Sequence, residues 1–245
     1  MSTLKNHPFA VEAFFNASLV LTYAVPKAAL EQAIPGCLQL DLFKDEWAFI
    51  AAAFVDTSHL RPRGFPEFLG NDFFLAGYRI FVSYRNNQGK RLRGLYILRS
   101  ETNKAKMSFL GNIFTHYNYL KTDIEYYKDE DKISIFSNNS GLDIKVSLNK
   151  KEVALPHSSP FSEWKEARRF AGPLPFTFTY NNKTKEVLII QGVRENWTPS
   201  PVEVTKNKVG FIDRMNIPGI VLANAFLIED VPYCWEKGKT EIWKG

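Results

Sequence analysis

Residues that could perform acid–base or nucleophilic chemistry are concentrated between Arg99 and Tyr119, in the segment RSETNKAKMSFLGNIFTHYNY. Arg99 and Glu101 are two positions apart, so in a strand both side chains point to the same face, together with Leu95 and Ile97. A guanidinium and a carboxylate placed in this way can form a structural ion pair. They can also orient a substrate carboxylate and move a proton, and the sequence leaves both interpretations open.

Two lysines, Lys104 and Lys106, follow Glu101 in the same segment. A lysine becomes a Schiff-base nucleophile when desolvation or a neighbouring cation lowers its pKa, and the second lysine could be that cation. The alternative is that both amines are solvated, as most lysines are.

Three further side chains are candidate ligand contacts. Arg79 shares a strand face with Leu75, Gly77 and Phe81, so it either extends outwards to solvent or anchors a buried anion. His116 and Tyr117 follow the lysines, and a hydrogen-bonded structural role is the simpler interpretation of His116. No second ligand lies at metal spacing from His116, so no metal site is predicted.

The elements that must position these residues are mostly strands. Two or three short helices are predicted, at Lys27–Ile34, Thr102–Phe114 and Ser162–Phe170, the second and third with Thr102 and Ser162 as their caps. About ten strands are predicted from alternation and turn signals: Phe14–Val25, Leu38–Phe43, Trp47–Val55, Phe73–Tyr84, Arg91–Arg99, Tyr119–Tyr127, Lys132–Ser137, Leu142–Leu148, Leu174–Tyr180, Glu186–Arg194 and Gly219–Glu229. A large antiparallel sheet of this kind tends to curl, which predicts a mainly β (α+β) fold with a closed or nearly closed barrel. Its interior would be the ligand site.

Composition bounds the remaining possibilities. The 245 residues are 45% hydrophobic and 23% charged, without internal repeats, which is typical of one globular domain over 1–245.

No apolar run reaches about 18 residues and no leader is apparent, so neither a membrane span nor a signal peptide is expected. The two distant cysteines, Cys37 and Cys234, favour a reducing cytoplasm. No cofactor motif or nucleic-acid motif occurs, so the expected partner is a small molecule, and a homo-oligomer stays open.

Basic residues dominate the centre of the chain. Glu101 is the only acid between Phe73 and Thr122, against nine basic residues there: Arg79, Arg85, Lys90, Arg91, Arg93, Arg99, Lys104, Lys106 and Lys121. The residues from Arg85 to Arg93 could be a solvated hairpin tip. Alternatively, the excess charge creates a positive field that attracts an anionic ligand.

The order of several segments resembles the bacterial proteins that share the acetoacetate decarboxylase-like β-barrel fold. The matching segments are LTYAVPKAALEQAIPGCLQLDLFKDEWAFIAAAF (21–54), GYRIFVSY (77–84), RGLYILRSETNK (93–104), FTHYNY (114–119), ENWTPSPVEV (195–204) and the closing strand. In the decarboxylases, a lysine of a PKK-type motif a few residues after a glutamate forms a Schiff base with a β-keto acid. Glu101 resembles that glutamate, and Lys104 and Lys106 are the lysines that follow, with Ala105 between them.

The resemblance implies a lyase-like enzyme acting on a small keto acid. Lys106 or Lys104 would be the nucleophile, Glu101 the proton-transfer group, and Arg99 or Arg79 the carboxylate anchor. A non-catalytic barrel that binds an organic ligand in the same cavity is the alternative. A scaffold role ranks last, because the aromatic-rich strands already account for the hydrophobic residues as core.

Overall fold

The computed structural model describes residues 4–149, 152–195 and 197–245, and strands dominate it. The strands are β1 (Val11–Pro26), β2 (Gln39–Leu40), β3 (Trp47–Pro62), β4 (Asn71–Arg85), β5 (Arg91–Thr102), β6 (Tyr119–Lys121), β7 (Glu125–Lys128), β8 (Lys132–Ser137), β9 (Leu142–Ser147), β10 (Phe176–Asn181), β11 (Glu186–Arg194), β12 (Ser200–Pro201), β13 (Glu203–Val209), β14 (Val221–Trp235) and β15 (Lys239–Ile242). The helices are α1 (Ala105–Phe114), α2 (Trp164–Ala171) and α3 (Gly210–Arg214). The predicted mainly β fold is confirmed.

Seven strands pair in a ring, in the order β14-β1-β3-β4-β5-β10-β11 and back to β14. All neighbours are antiparallel except β5 and β10, which run parallel. The long register of β1 with both β3 and β14 makes one side of the ring continuous. The seam between β11 and β14 is short, with three residue pairs from Gly192↔Trp235 to Arg194↔Tyr233. The ring therefore has an interior face, to which every strand contributes alternate residues.

A second sheet, in the order β13-β9-β8-β7, packs against the outside of the ring. Its buried Ile133, Ile135 and Ile144 belong to the same apolar cluster as Leu19 and Tyr78 of the ring. The segments that form β7, β8 and β9 were predicted to continue one large sheet, and this part of the prediction is wrong. Strand β6, in contrast, does pair with β5 of the ring. The strand β13, which the sequence analysis missed, completes the second sheet by pairing with β9.

Several predicted boundaries also differ from the structure. Lys27–Ile34 forms two 3-10 turns, Lys27–Ala29 and Glu31–Ala33, in place of a helix. Thr102 does not cap α1, because it is still paired with Leu75 as the last residue of β5, and Lys104 occupies the cap position. Ser162 precedes the cap of α2, and its hydroxyl donates a 2.9 Å hydrogen bond to the Glu166 carboxylate.

Two helices pack on opposite ends of the ring interior. Ala167 and Ala171 of α2 pack with Phe49 and Phe81 near the start of β3 and the end of β4. Met107 of α1 packs with buried side chains near the opposite ends of those strands. None of the helices in the described residues is long and apolar enough to cross a bilayer.

Candidate functional site

The ring encloses a cavity of about 130 Å³. Side chains from all seven ring strands contribute to its wall, and residues 171–174, the end of α2 and the segment that follows it, close one side. Small and branched apolar side chains such as Ala51, Ala53, Val55 and Ile97 make up much of that wall. Among its described lining residues, two are charged, both are arginines, and none is acidic. The cavity therefore joins an apolar surface with positive charge.

Arg79 brings one of these charges into the cavity from the middle of β4. Its neighbours on the same face, Leu75 and Phe81, also line the cavity, as the alternation predicted. Arg79 is half-buried, and its guanidinium makes no hydrogen bond or ion pair with any residue in the described part of the chain. Burial raises the pKa of Tyr117 to about 12 and also raises the pKa of Tyr119, and the charge of Arg79 opposes both increases. Arg79 is thus a cation close to two buried phenols, and the residues that the structure describes supply it with no counter-ion.

Arg194, at the end of β11, supplies the second charge, but two of the three nitrogens of its guanidinium already have partners, and the buried Nε has none among the described residues. Its Nη2 donates to the carbonyl oxygen of Pro173 at 2.5 Å, and its Nη1 donates to the Tyr233 hydroxyl at 3.3 Å. It also lies over the rings of Trp197 and Tyr233, 5.2 Å and 5.7 Å from their centroids. These contacts tie the segment after α2 to the short seam of the ring, so Arg194 is chiefly a structural residue at the edge of the cavity.

Arg99 and Glu101 lie together, yet they face away from the cavity. A β-bulge at Leu98 shifts the register of β5, so that Tyr78 opposes Arg99 while Arg79 opposes Ile97. The prediction that Leu95, Ile97, Arg99 and Glu101 share one face is therefore wrong, because a bulge reverses the alternation beyond it. Leu95 and Ile97 line the cavity, whereas Arg99 and Glu101 point to the outside of the ring.

Glu101 is completely buried on that outer face. Its Oε1 lies 3.0 Å from Arg99 Nε, although the N–H does not point at the oxygen, so the contact is an ion pair without an aligned hydrogen bond. Its Oε2 accepts a 3.1 Å hydrogen bond from the Tyr78 hydroxyl. Tyr78 in turn stacks on Phe211 of α3 at 4.3 Å. The arrangement matches the structural ion pair that the sequence left as one alternative.

Lys104 and Lys106 are both exposed at the start of α1. Neither lines the cavity, and the neighbouring helix residue Met107 is the one that is buried. The structure thus brings neither amine to Arg79. Their role as Schiff-base nucleophiles stays a prediction.

His116 and Tyr117 are adjacent in sequence but lie in different places. His116 Nε2 is 3.2 Å from Asn6 Oδ1, outside the cavity, and burial followed by the charge of Lys5 lowers the pKa of the imidazole. Tyr117 lines the cavity, and its hydroxyl lies 2.9 Å from the Thr177 hydroxyl. Of the seven predicted site residues, Arg79 and Tyr117 are the two that the structure places in the cavity wall.

The other basic residues of the central segment are engaged elsewhere. Arg91 and Arg93 both contact the buried Asp41, at 3.0 Å and 2.6 Å. Arg85 is exposed and donates to the Gly89 carbonyl at the hairpin tip. Sequence reasoning missed Thr177, Tyr119 and Arg194 as cavity residues. Tyr119 lies in the short strand β6, and alternation within β10 and β11 gives the faces of Thr177 and Arg194 only once the closure of the ring is known.

The described residues contain no group of three or more His, Cys, Asp or Glu side chains that could hold a metal ion. The donors around the cavity are two arginines and hydroxyl groups, which suit anions better than cations.

Residues 13–228 match the model of the family DUF2071, described as "Uncharacterized conserved protein (COG2071)". The chain belongs to DUF2071. Among curated proteins, none matches the DUF2071 chain significantly in sequence.

Solved structures of acetoacetate decarboxylase-like proteins share the fold of this DUF2071 chain. The acetoacetate decarboxylase from Legionella pneumophila superposes with a TM-score of 0.59 at 12% identity, over 97% of this chain and 90% of that chain. An acetoacetate decarboxylase-like enzyme from Sphingomonas wittichii gives 0.57 at 9% identity, over 97% and 94%. The enduracididine biosynthesis enzyme MppR complexed with pyruvate gives 0.56 at 8% identity, over 95% and 90%. At these identities the likeness shows the fold alone, and the predicted acetoacetate decarboxylase-like architecture is confirmed.

Proposed function

We propose that this protein binds a small organic anion, in particular a carboxylate, in the cavity of the ring, with Arg79 as the anchor. The observation that carries this proposal is the guanidinium of Arg79, which has no partner among the described residues and lies in a mostly apolar wall. A charge taken partly out of water without a partner is costly, and proteins usually pair such charges. Arginine presents a planar fork of donors that matches a carboxylate with two parallel hydrogen bonds.

The rest of the cavity suits the body of a small organic acid. Alanine, valine and isoleucine side chains offer apolar contact to a short carbon skeleton, and the hydroxyls of Tyr117 and Thr177 lie in the wall as polar groups. Because the described lining contains no acidic side chain, nothing in it competes with the ligand for Arg79. Pyruvate, which MppR binds, belongs to the class of ligand proposed here.

We favour binding without covalent catalysis over the lyase alternative. A Schiff base on Lys104 or Lys106, with Glu101 as the proton-transfer group, needs an amine inside the cavity beside that carboxylate. Both amines are exposed, and Glu101 is buried on the other side of β5 in an ion pair with Arg99. The lyase function would therefore require a rearrangement of α1 and of the bulge in β5.

Binding can be tested by titrating acetate, butyrate and pyruvate into the protein by calorimetry, with thermal unfolding as a second readout. Arg79→Met removes the anchor, and Arg85→Met removes an exposed arginine from the same strand as a matched control. Loss of a hydrogen-bonded charge pair predicts binding about 10- to 100-fold weaker in Arg79→Met and unchanged binding in Arg85→Met. Equal weakening in both variants, or no change in either, would contradict the proposal.

The lyase alternative is tested by borohydride trapping with pyruvate and acetoacetate, followed by mass spectrometry of the peptide that contains Lys104 and Lys106. The binding proposal predicts no adduct. A reduced adduct that is lost in Lys106→Ala or Lys104→Ala would establish the lyase alternative instead.

A further inference from the structure

A second cavity of about 200 Å³ lies beneath α1, at the end of the ring that this helix covers. We refer to it as the lower compartment. Its wall comes from α1, from the chain before β1 and from the adjacent ends of β3 and β4, and it is strongly apolar, with Phe9, Leu60, Phe73, Met107 and Leu110 among its side chains.

Five side chains belong to the walls of both the lower compartment and the Arg79 cavity: Phe15, Leu75, Tyr117, Tyr119 and Trp235. Tyr117 and Tyr119 are the two phenols whose pKa values respond to the charge of Arg79. The rings of this pair have centroids 6.2 Å apart. The two spaces are therefore neighbours across one layer of side chains. The unpaired Arg79 lies on one side, and on the other is a mostly apolar void whose described lining has one arginine, Arg61, already paired with Glu12 and Glu67.

The lower compartment is large enough to accept part of a ligand. An engineered apolar cavity of roughly 150 Å³ takes up benzene, so about 200 Å³ can hold several methylene groups. Its wall also contains two buried polar atoms, Thr57 Oγ1 and His7 Nδ1, that have no hydrogen-bond partner among the described residues. A void with apolar walls and unpaired polar atoms is unusual for a packed core, which is ordinarily filled and hydrogen-bonded.

We infer that the ligand class is an amphipathic monocarboxylate whose head pairs with Arg79 and whose apolar tail passes beside Tyr117 and Tyr119 into the lower compartment. This inference rests on the proposed function, because it assumes that Arg79 binds the carboxylate. It extends that function by selecting acids with an alkyl tail over short acids such as acetate or pyruvate. The selection arises because each methylene that leaves water for an apolar wall adds to the affinity.

The test is calorimetric titration with straight-chain carboxylates from acetate to decanoate. Burial of each methylene predicts about fourfold tighter binding per carbon, until the lower compartment is full and the affinity levels off. Leu110→Trp fills the compartment from α1 and Leu60→Phe fills it from β3, so one variant can replace the other if either fails to fold. Phe109→Trp is the matched control, since Phe109 is on the same helix with 67% exposure and outside the wall.

The expected result is that octanoate and decanoate bind at least tenfold more weakly to Leu110→Trp or Leu60→Phe. Butyrate binding should change less than twofold in both, and Phe109→Trp should behave as the wild type. If short acids bind through Arg79 but affinity does not rise with chain length, the inference is overturned and the proposed function stands. If affinity rises with length and neither filling variant alters it, the lower compartment is not the tail site. If no carboxylate binds, the proposed function and the inference both fail.

Discussion

Removal of Glu101 tests its role most sharply, because a structural ion pair and a proton-transfer group in the ligand site predict opposite phenotypes. Glu101 is fully buried, and its carboxylate contacts Arg99 and the Tyr78 hydroxyl. If this cluster is structural, Glu101→Ala leaves a guanidinium and a phenol without their partner, and the protein should lose stability while carboxylate binding persists.

The size of the expected loss of stability follows from the burial of the two charges. Removing one partner of a buried ion pair typically costs about 3–5 kcal/mol. The Arg99 side chain is 32% exposed, so water screens part of its charge, and the lower end of that range applies. We expect Glu101→Ala to lower the free energy of unfolding by about 3 kcal/mol, which corresponds to a decrease in Tm of about 6–12 °C for a chain of this size. Glu101→Gln should cost less, because its amide oxygen can still accept the Tyr78 hydrogen bond.

The assay is equilibrium unfolding in urea, monitored by tryptophan fluorescence, with the slope m compared between variants. The double variant Arg99→Met/Glu101→Met should recover much of the loss, because it removes both charges. A structural role for Glu101 is contradicted if the free energy of unfolding of Glu101→Ala lies within about 0.5 kcal/mol of the wild-type value while the affinity of the variant for butyrate or pyruvate falls at least tenfold. That result would place Glu101 in the ligand site.

Three further predictions concern Arg79, His7 and Asp41. Arg79→Met should stabilise the ligand-free protein by about 1 kcal/mol, because it removes a half-buried cation that has no partner among the described residues. Calorimetry should show a Tm about 2–4 °C higher, whereas a lower Tm would show that the guanidinium has a structural role. Burial lowers the pKa of His7, so the stability that its neutral form contributes is complete above the unfolded pKa of about 6.5 and is lost as the pH falls below it. His7→Asn should therefore flatten the decline in stability between about pH 7 and 5, whereas His157→Asn, an exposed control, should not; equal slopes would count against this account. Asp41→Asn should lower the free energy of unfolding in urea by about 1–2 kcal/mol, because Asp41 is 3% exposed and contacts two half-exposed arginines. The exposed control Asp45→Asn should change this free energy little. Equal losses in the two variants would refute a stabilising role for the contacts of Asp41 with Arg91 and Arg93.

The strands of this protein could be predicted well where alternation and turn residues agree. Lys132–Ser137 and Glu186–Arg194 have the predicted bounds. The first is a run of alternating residues and the second contains a short apolar run, and each lies between polar turns. Strand β13 was missed because EVTKNKV is mostly polar, and its place is fixed by pairing with β9 more than by its own composition. The division into two sheets depends on pairings between distant segments, which local patterns do not encode.

In the candidate site, too, strand alternation predicted one side chain correctly and failed for two others. Alternation placed Arg79 on the face of Leu75 and Phe81, and the structure confirms that face as the cavity wall. The same rule failed for Arg99 and Glu101, because the bulge at Leu98 adds one residue to β5 and reverses the faces beyond it. No glycine or other local signal in the sequence marks this bulge. The face on which Arg99 and Glu101 lie is therefore known only from the pairing of β4 with β5 in the structure.

Carboxylate binding at Arg79 is tested most directly by a crystal structure of the protein in complex with 8-bromooctanoate, in which anomalous scattering locates the bromine and the electron density locates the carboxylate. We expect a carboxylate within about 2.7–2.9 Å of the Arg79 guanidinium nitrogens, inside the ring. A carboxylate bound only at the surface, or held near Lys104 and Lys106 with the Arg79 cavity unoccupied, would contradict it.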